Sequence, residues 1–277
     1  MTISNILALV SGSPDDAVVL ATAFAAAKPF GAHVRALFVC PDVQEIAYAP
    51  DLRESVNARE AHAVQSKRHA RTAFEDAASG AGALVSEIAS KTGTLSASYQ
   101  EDIGRLSRVV AANSLFADLI VFPPLRQPVH PALHDAFVRT LMTSGKPVLL
   151  SPRAAPQSLG DKIAVGWDSG LAAKHALFAG MPFLERSGTV ELLALGETTV
   201  RNEAEVREYL SLHGVNVKFR TIQKPAGPIG PALFEAARGC DLLVVGGYGH
   251  SRTIEAIFGG ATEYVTSHAD FPIFMTH

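Results

Sequence analysis

Spaced glycines follow a run of apolar residues near the C-terminus. The run Leu242–Val245 leads into Gly246, and Gly249 and Gly259 complete the spacing G-x2-G-x9-G. Because glycine has no Cβ, backbone N–H groups in such a loop can approach an anion closely. The N-terminus of a following helix would add partial positive charge. The pattern therefore predicts a phosphate site at the end of a buried strand.

Three widespread functional motifs do not fit this segment. A dinucleotide fingerprint, G-x-G-x-x-G, would need glycine at the position of Arg252. A Walker loop would need a lysine and a hydroxyl residue after Gly259, where Gly260 and Ala261 stand. The nucleophile elbow G-x-S-x-G is absent as well, because Ser251 is followed by no glycine at the required position. The loop belongs to none of these classes.

The elements that must position this loop occur twice in the sequence. The opening runs Ile6–Val10 and Ile163–Trp167 each lead into small turn residues and an alanine-rich helical stretch. Gly31 and Gly188 follow at the same distance, 25 residues after the opening isoleucine of each half. The other matched segments are 34–39 with 190–195, 117–122 with 240–245, and 145–151 with 270–276. The chain is therefore predicted to be an internal duplication.

Each half reads as βαβ, a further strand, and then αβαβ. Continuous apolar strands that alternate with helices are typical of a parallel sheet covered on both faces. We therefore predict an α/β fold of two tandem five-stranded, parallel-sheet domains of Rossmann-like type, at residues 1–152 and 161–277. Arg153–Gly160, which contains proline, serine and glycine, is the predicted linker.

The two halves differ most in the length between their matched segments. The first half has extra residues at about 41–80, most of them predicted as one long polar helix whose narrow apolar stripe includes Ala70 and Phe74. Its basic side chains indicate either a binding face or, more simply, a solvated helix face. The spacing of Ile103, Leu106 and Val110 predicts a further helix over these residues.

Composition and charge narrow the functional classes. Hydrophobic residues make up 48% of the chain and charged residues 18%, which is ample material for a core. A net charge of −3 gives no electrostatic reason to expect nucleic acid as a partner. The two cysteines match no metal or redox spacing, and no apolar run approaches the ~20 residues needed to span a bilayer. We expect a cytoplasmic protein with no membrane partner.

The duplicated strand order together with G-x2-G-x9-G resembles the universal stress protein family, and specifically its tandem two-domain members. The resemblance implies the adenine nucleotide alpha hydrolase-like fold for each half. It is strong over 162–277 and weaker over 1–152. The residues that carry it are 163–168, 241–251, 259–265 and 272–275.

The resemblance implies an ATP site in the second half, with Mg²⁺ as a candidate companion. Asp168, which follows the first strand of that half, would lie near the adenosine. Ala194 and Leu195 would form an apolar wall for the base, and Trp167 is expected to be either a core residue or a wall on which the base stacks. In many ATP-binding members a serine or threonine follows the third glycine, whereas this chain has Gly260. Backbone contacts to the phosphates would come from Gly246, Gly249, His250, Gly259, Gly260 and Ala261.

The first half is predicted to have lost its copy of the site. Phe122-Pro123-Pro124 stands where the glycines would be, and prolines have no N–H to donate. Phe122 is expected to fill space that phosphates would occupy. Ser11 replaces the aspartate at the end of the first strand.

Three other groups of residues are candidates for chemistry. His130 and His134 stand at i, i+4 and indicate either a zinc pair or a surface pair. His250 and Arg252 could meet phosphate oxygens by charge. Cys240 precedes a buried strand and is expected to behave as a small apolar residue. We assign no catalytic and no metal-binding residue.

These features predict a stress-response binding and regulatory protein whose C-terminal domain binds ATP with slow or no hydrolysis. An adenine-nucleotide hydrolase and a nucleotide-free interaction scaffold are the alternatives. The resemblance implies that the two halves pair within one chain through antiparallel contact of Val148–Leu150 with Ile273–Met275. A homodimer of chains is left open.

Overall fold

The computed structural model describes residues 2–40, 53–86, 93–126, 128–195, 203–223, 229–247, 264, 266, 268 and 270–277. Strands and helices alternate along these residues, and all strand pairs but one are parallel among those described. The predicted α/β fold class is confirmed. None of the helices in these ranges combines the length and apolarity that crossing a bilayer requires.

Contacts divide the chain into two compact units. One contains Ile3–Pro123 and Val129–Lys146, and the other contains Pro147–His277 with a short segment from Pro124. The last strand of the first repeat therefore belongs, by its contacts, with the second unit. The domain ranges 1–152 and 161–277 stay a prediction. Grouping by contacts assigns a strand to the strands it pairs with, whichever sequence repeat it comes from.

The first unit is a parallel sheet of strand order β3-β4-β2-β1-β5. Five of the six residues of β1 are buried, which is why the strand reads as a continuous apolar run. The elements are β1 (Asn5–Val10), α1 (Asp15–Ala27), β2 (His33–Cys40), α2 (Arg53–Ala81), β3 (Leu84–Val85), β4 (Ser96–Ile103), α3 (Leu106–Ser114), β5 (Leu119–Phe122) and α4 (Pro131–Thr143).

The second unit has the order β6-β11-β10-β7-β8-β9. The strands are parallel except that β6 runs antiparallel to β11, with Leu149 opposite Phe274. The elements are β6 (Val148–Leu150), β7 (Lys162–Trp167), α5 (Leu171–Leu184), β8 (Thr189–Leu195), α6 (Glu203–Leu212), β9 (Val217–Ile222), α7 (Ile229–Ala236), β10 (Leu242–Gly246) and β11 (Ile273–Thr276).

Two helix predictions of the first half meet different outcomes. The long helix is present as α2, and its stripe residues Ala70 and Phe74 are buried, with the Phe74 ring 5.6 Å from that of Tyr99. The helix predicted from Ile103 is wrong at its start, because Ile103 pairs with Cys40 as the last residue of β4. Helix α3 begins at Leu106. Strand pairing has overridden a helical spacing that rested on three residues.

Candidate functional site

A tight turn joins β7 to α5 at the carboxyl edge of the second sheet. Asp168 follows the strand, and its Oδ1 accepts a hydrogen bond from the N–H of Gly170 at 2.8 Å. Gly170 is the N-cap of α5, which has no side-chain cap. Ser169, between them, has a φ of +62°. The turn thus places a carboxylate beside the start of a helix, an arrangement suited to a polar ligand.

Strand β10 brings Gly246 to the same edge. Val244 lies opposite Val165, so Gly246 lies beside the end of β7. A Cβ on Gly246 would lie 2.4 Å from the carbonyl carbon of Ala172 in the first turn of α5. Glycine is therefore required here by the packing of α5 onto β10, whether or not a ligand also approaches this backbone.

Buried polar atoms without hydrogen-bond partners are concentrated at this edge. They include Nε1 of Trp167, Oγ of Ser169 and Oγ1 of Thr276, which are three of the six such side-chain atoms in the described part of the chain. Buried polar groups usually find partners, so unused hydrogen-bonding capacity requires an explanation. The unpartnered polar atoms at the ends of β7 and β11 could form hydrogen bonds with a polar molecule.

The apolar walls predicted for the base lie at the ends of β7 and β8. Trp167 is 2% exposed and lies opposite Ala194, which is 4% exposed. Leu195 ends β8, and its backbone pairs with Ile222. The structure therefore brings Asp168, Trp167 and Gly246 to one edge, with Leu195 ending the neighbouring strand. The remaining predicted contacts, Gly249, His250, Gly259, Gly260 and Ala261, lie outside the described residues.

In the first unit an internal carboxylate occupies the equivalent turn. Asp16, in the first turn of α1, accepts hydrogen bonds from the N–H of Ser11 at 2.8 Å and from the N–H of Gly12 at 2.7 Å. The Ser11 hydroxyl donates to the same carboxylate at 3.2 Å. Asp16 is 2% exposed, and burial raises its pKa although these bonds act in the opposite direction. The N–H groups that could meet a ligand are already used.

Helix α2 also lies directly on this turn. Gly12 has a φ of +81°, and a Cβ there would lie 2.2 Å from the backbone oxygen of Ser66 in α2. Lys67, the next residue, pairs with Glu101 of β4 at 2.5 Å. Sequence reasoning missed the Asp16 carboxylate in this turn and the position of α2 over it. An acidic residue in the first turn of α1 was the available signal for the carboxylate, while the position of α2 had none.

Phe122 is fully buried and packs edge-on against Phe137 of α4, with ring centroids 5.5 Å apart. The residue serves the core of the first unit. Its predicted exclusion of phosphate stays a prediction.

Of the other candidates, His130 has a structural role, while Arg252, like His250, lies outside the described residues. His130 is the N-cap of α4, where its Nδ1 accepts the N–H of Ala132 at 3.3 Å. Within the ranges that the structure describes, no three histidine, cysteine or acidic side chains are grouped as metal ligands. Burial raises the pKa of the Cys240 thiol, which keeps it protonated at neutral pH as expected of a small apolar residue.

Residues 175–277 match the model of the universal stress protein family. The match begins inside α5 and includes the glycine motif, so the predicted resemblance is confirmed for this segment of the chain. No curated protein matches the chain in sequence.

Solved structures extend the likeness over the whole chain as a likeness of fold. A universal stress protein from Archaeoglobus fulgidus superposes with a TM-score of 0.68 and 14% identity, covering 99% of this chain and 96% of its own. A putative universal stress protein from Pseudomonas aeruginosa has a TM-score of 0.58 and 15% identity, covering 99% and 93%. The cytoplasmic domain of a prokaryotic cation chloride cotransporter has a TM-score of 0.50 and 12% identity, covering 99% and 95%. The fold is thus shared by proteins of different function.

Proposed function

We propose that this chain is a tandem universal stress protein whose second half binds an adenine nucleotide, with ATP as the ligand. The observation that carries the proposal is the edge where Asp168 and Gly246 meet, and Gly246 lies within the segment 175–277 that matches the family. The equivalent edge of the first unit is filled by Asp16 and covered by α2. One site per chain follows from this difference.

Each part of the nucleotide has suitable chemistry at this edge. The Asp168 carboxylate accepts hydrogen bonds, and ribose hydroxyls and the adenine amino group donate them. Ala194 and Leu195, at the end of β8, would form an apolar wall for the base, while Trp167, which is 2% exposed, is a core residue. The glycine motif after β10 supplies backbone N–H groups to the phosphates, and Mg²⁺ would accompany them. Binding with slow or no hydrolysis is proposed because no motif supplies a Walker lysine or an activated nucleophile.

The antiparallel pairing of β6 with β11 supports a further part of the proposal. It joins the last strand of the first sequence repeat to the last strand of the second. The paired residues are those expected from the sequence, Val148–Leu150 and Ile273–Met275. We therefore propose that the two halves pair within one chain through these strands. The two unpaired cysteines fit a reducing, cytoplasmic setting.

Calorimetric titration with ATP and Mg²⁺ tests the proposal, using wild type, Asp168→Ala and the matched first-half variant Ser11→Ala. Loss of a hydrogen bond to a charged group corresponds to about a ten- to hundredfold weaker Kd for Asp168→Ala. Ser11→Ala should change the Kd less than about twofold, since its turn is filled by Asp16. Gly249→Val should abolish binding, because a side chain there would obstruct the phosphates.

The same titration separates the alternatives. A wild-type protein that binds no ATP overturns the proposal and favours a scaffold, for which the absence of a hydroxyl at Gly260 is the supporting feature. Rapid phosphate release measured alongside would favour a hydrolase. Equal effects of Asp168→Ala and Ser11→Ala would show that the site is assigned to the wrong edge.

A further inference from the structure

Ser169 has a backbone conformation that serine rarely adopts. Its φ of +62° lies in the left-handed region, and it is the one non-glycine residue with positive φ among the residues described. A glycine would adopt this conformation freely, whereas any residue with a Cβ is strained there. Strain of this kind in a turn beside a ligand edge is a recognised sign of function.

The hydroxyl of Ser169 is unsatisfied as well. Its Oγ is buried and has no hydrogen-bond partner, although serine in a turn commonly bonds to nearby backbone. The neighbouring carboxylate of Asp168 receives the N–H of Gly170 instead. Ser169 therefore carries two separate costs, and a glycine at this position would remove both.

No hydrogen bond holds the hydroxyl of Ser169 in its present rotamer. Ser169 as a residue is only partly buried, and nothing bonds its Oγ in the present rotamer. Rotation about χ1 between staggered positions moves the oxygen without any change in the backbone. The left-handed backbone places this side chain next to Asp168, at the end of β7.

We infer that Ser169 is a specificity-determining residue that binds the sugar hydroxyls of the nucleotide together with Asp168. This inference rests on the proposed function and deepens it. A vicinal diol presents two O–H donors and two acceptor oxygens, while an ionised carboxylate only accepts. A serine hydroxyl beside the carboxylate supplies the missing donor. The site is then selective for ribonucleotides over 2′-deoxy and 3′-deoxy nucleotides.

The selectivity has a physical basis in unpaired polar groups. A site built to hydrogen-bond a hydroxyl rejects the analogue that lacks it, because the protein groups are left without partners. We expect wild type to bind ATP at least about tenfold more tightly than 2′-deoxy-ATP or 3′-deoxy-ATP, which corresponds to one such bond.

Two variants of the full chain separate the hydroxyl from the backbone strain. Ser169→Gly removes both, so its Tm should rise by about 2–4 °C while its Kd for ATP weakens about tenfold. Ser169→Ala removes the hydroxyl and keeps the backbone strain, so its Tm should rise less than that of Ser169→Gly while the Kd weakens equally. The Kd values for both deoxy nucleotides should change little in either variant. The ratio of the deoxy-nucleotide Kd to the ATP Kd should therefore fall towards one.

The measurements are calorimetric Kd values for the three nucleotides and thermal melts without ligand. If wild type binds ATP but does not distinguish it from the deoxy analogues, or if both variants keep the preference, the role of Ser169 is wrong and the nucleotide site stands. If wild type binds none of the three nucleotides, the proposed function itself fails and the inference fails with it. A rise in Tm without any loss of ATP affinity in Ser169→Gly would leave Ser169 as strained backbone only.

Discussion

The carboxyl ends of β1 and β7 are the same position of a duplicated fold, and they are built in opposite ways. At β1 the turn N–H groups donate to Asp16, a carboxylate of the protein itself. At β7 the carboxylate of Asp168 belongs to the turn, and the Ser169 hydroxyl has no partner. The same turn of the fold can therefore be closed by a carboxylate of the protein itself, with its sheet intact.

The opposite edges of the two sheets have diverged far less. Asp118 accepts the N–H groups of Ser4 and Asn5, just before and at the start of β1. Asp241 accepts the N–H groups of Asp161 and Lys162 at the start of β7. These aspartates hold the first strand of each unit in place. The aspartate contacts at the start of the first strand are thus alike in both units, whereas the turns at its carboxyl end differ.

The largest expected effect comes from the helix that lies on the first turn. Gly12→Ala should destabilise the protein by about 3–4 kcal/mol, because it combines left-handed strain with a Cβ 2.2 Å from the backbone of Ser66. Urea unfolding measures the change.

Gly82→Ala is the matched control for Gly12→Ala. Gly82 also has a positive φ, but nothing lies within 4 Å of its added Cβ, so only the strain of about 1–2 kcal/mol is expected. Equal losses of unfolding free energy in the two variants would show that α2 does not cover the first turn. One of the two differences between the turns after β1 and β7 would then be lost.

The second effect compares the two carboxylates. Asp16→Ala leaves two part-buried N–H groups without partners and should cost about 2–3 kcal/mol of folding free energy. Asp168→Ala removes the bond from the Gly170 N–H in a partly exposed turn, and loss of that bond should cost about 1 kcal/mol. Chemical denaturation of both variants checks the order. If Asp168→Ala proves the more costly, its carboxylate is a structural cap in the same sense as Asp16.

The smallest effect concerns pH, and it should arise in the first unit. His33 donates or accepts hydrogen bonds with Ser96 and Ser98, and the matched position of the second half is Thr189. Burial, with a smaller contribution from the charge of Arg35, lowers the pKa of His33 below its ordinary value of 6.5. Above pH 6.5 both folded and unfolded states keep the imidazole neutral, and its contribution to stability is fully present.

As the pH falls below 6.5 the unfolded chain takes up a proton that the folded protein resists, so stability is lost towards the folded pKa. His33→Asn keeps a polar side chain but cannot titrate, so its stability should depend less on pH in this window. Thermal melts of wild type and His33→Asn from about pH 7.5 down to 5.5 give the slope of Tm against pH for each protein. Parallel slopes would contradict the assignment to His33.

The repeat and its element order were predictable from residues close together in the sequence. Apolar runs ending in small residues marked β1 and β7, and the recurring Asp118 and Asp241 marked the start of the matched strands β5 and β10. The short strands after Pro147 and Pro272 were recognisable as last strands, and their pairing is present as β6 with β11. These signals are local, since the spacing of side chains along a strand or helix follows from backbone geometry.

The sequence by itself determined that the chain is a duplicated α/β protein, and that only its second half keeps the spaced glycines and the strand-end aspartate. Tertiary structure alone decided what happens at each sheet edge. It placed Ser66 on Gly12 and required glycine at 246 against Ala172. The reason is that these contacts join residues whose separation in the chain carries no periodic signal, and only packing brings them within reach of one another.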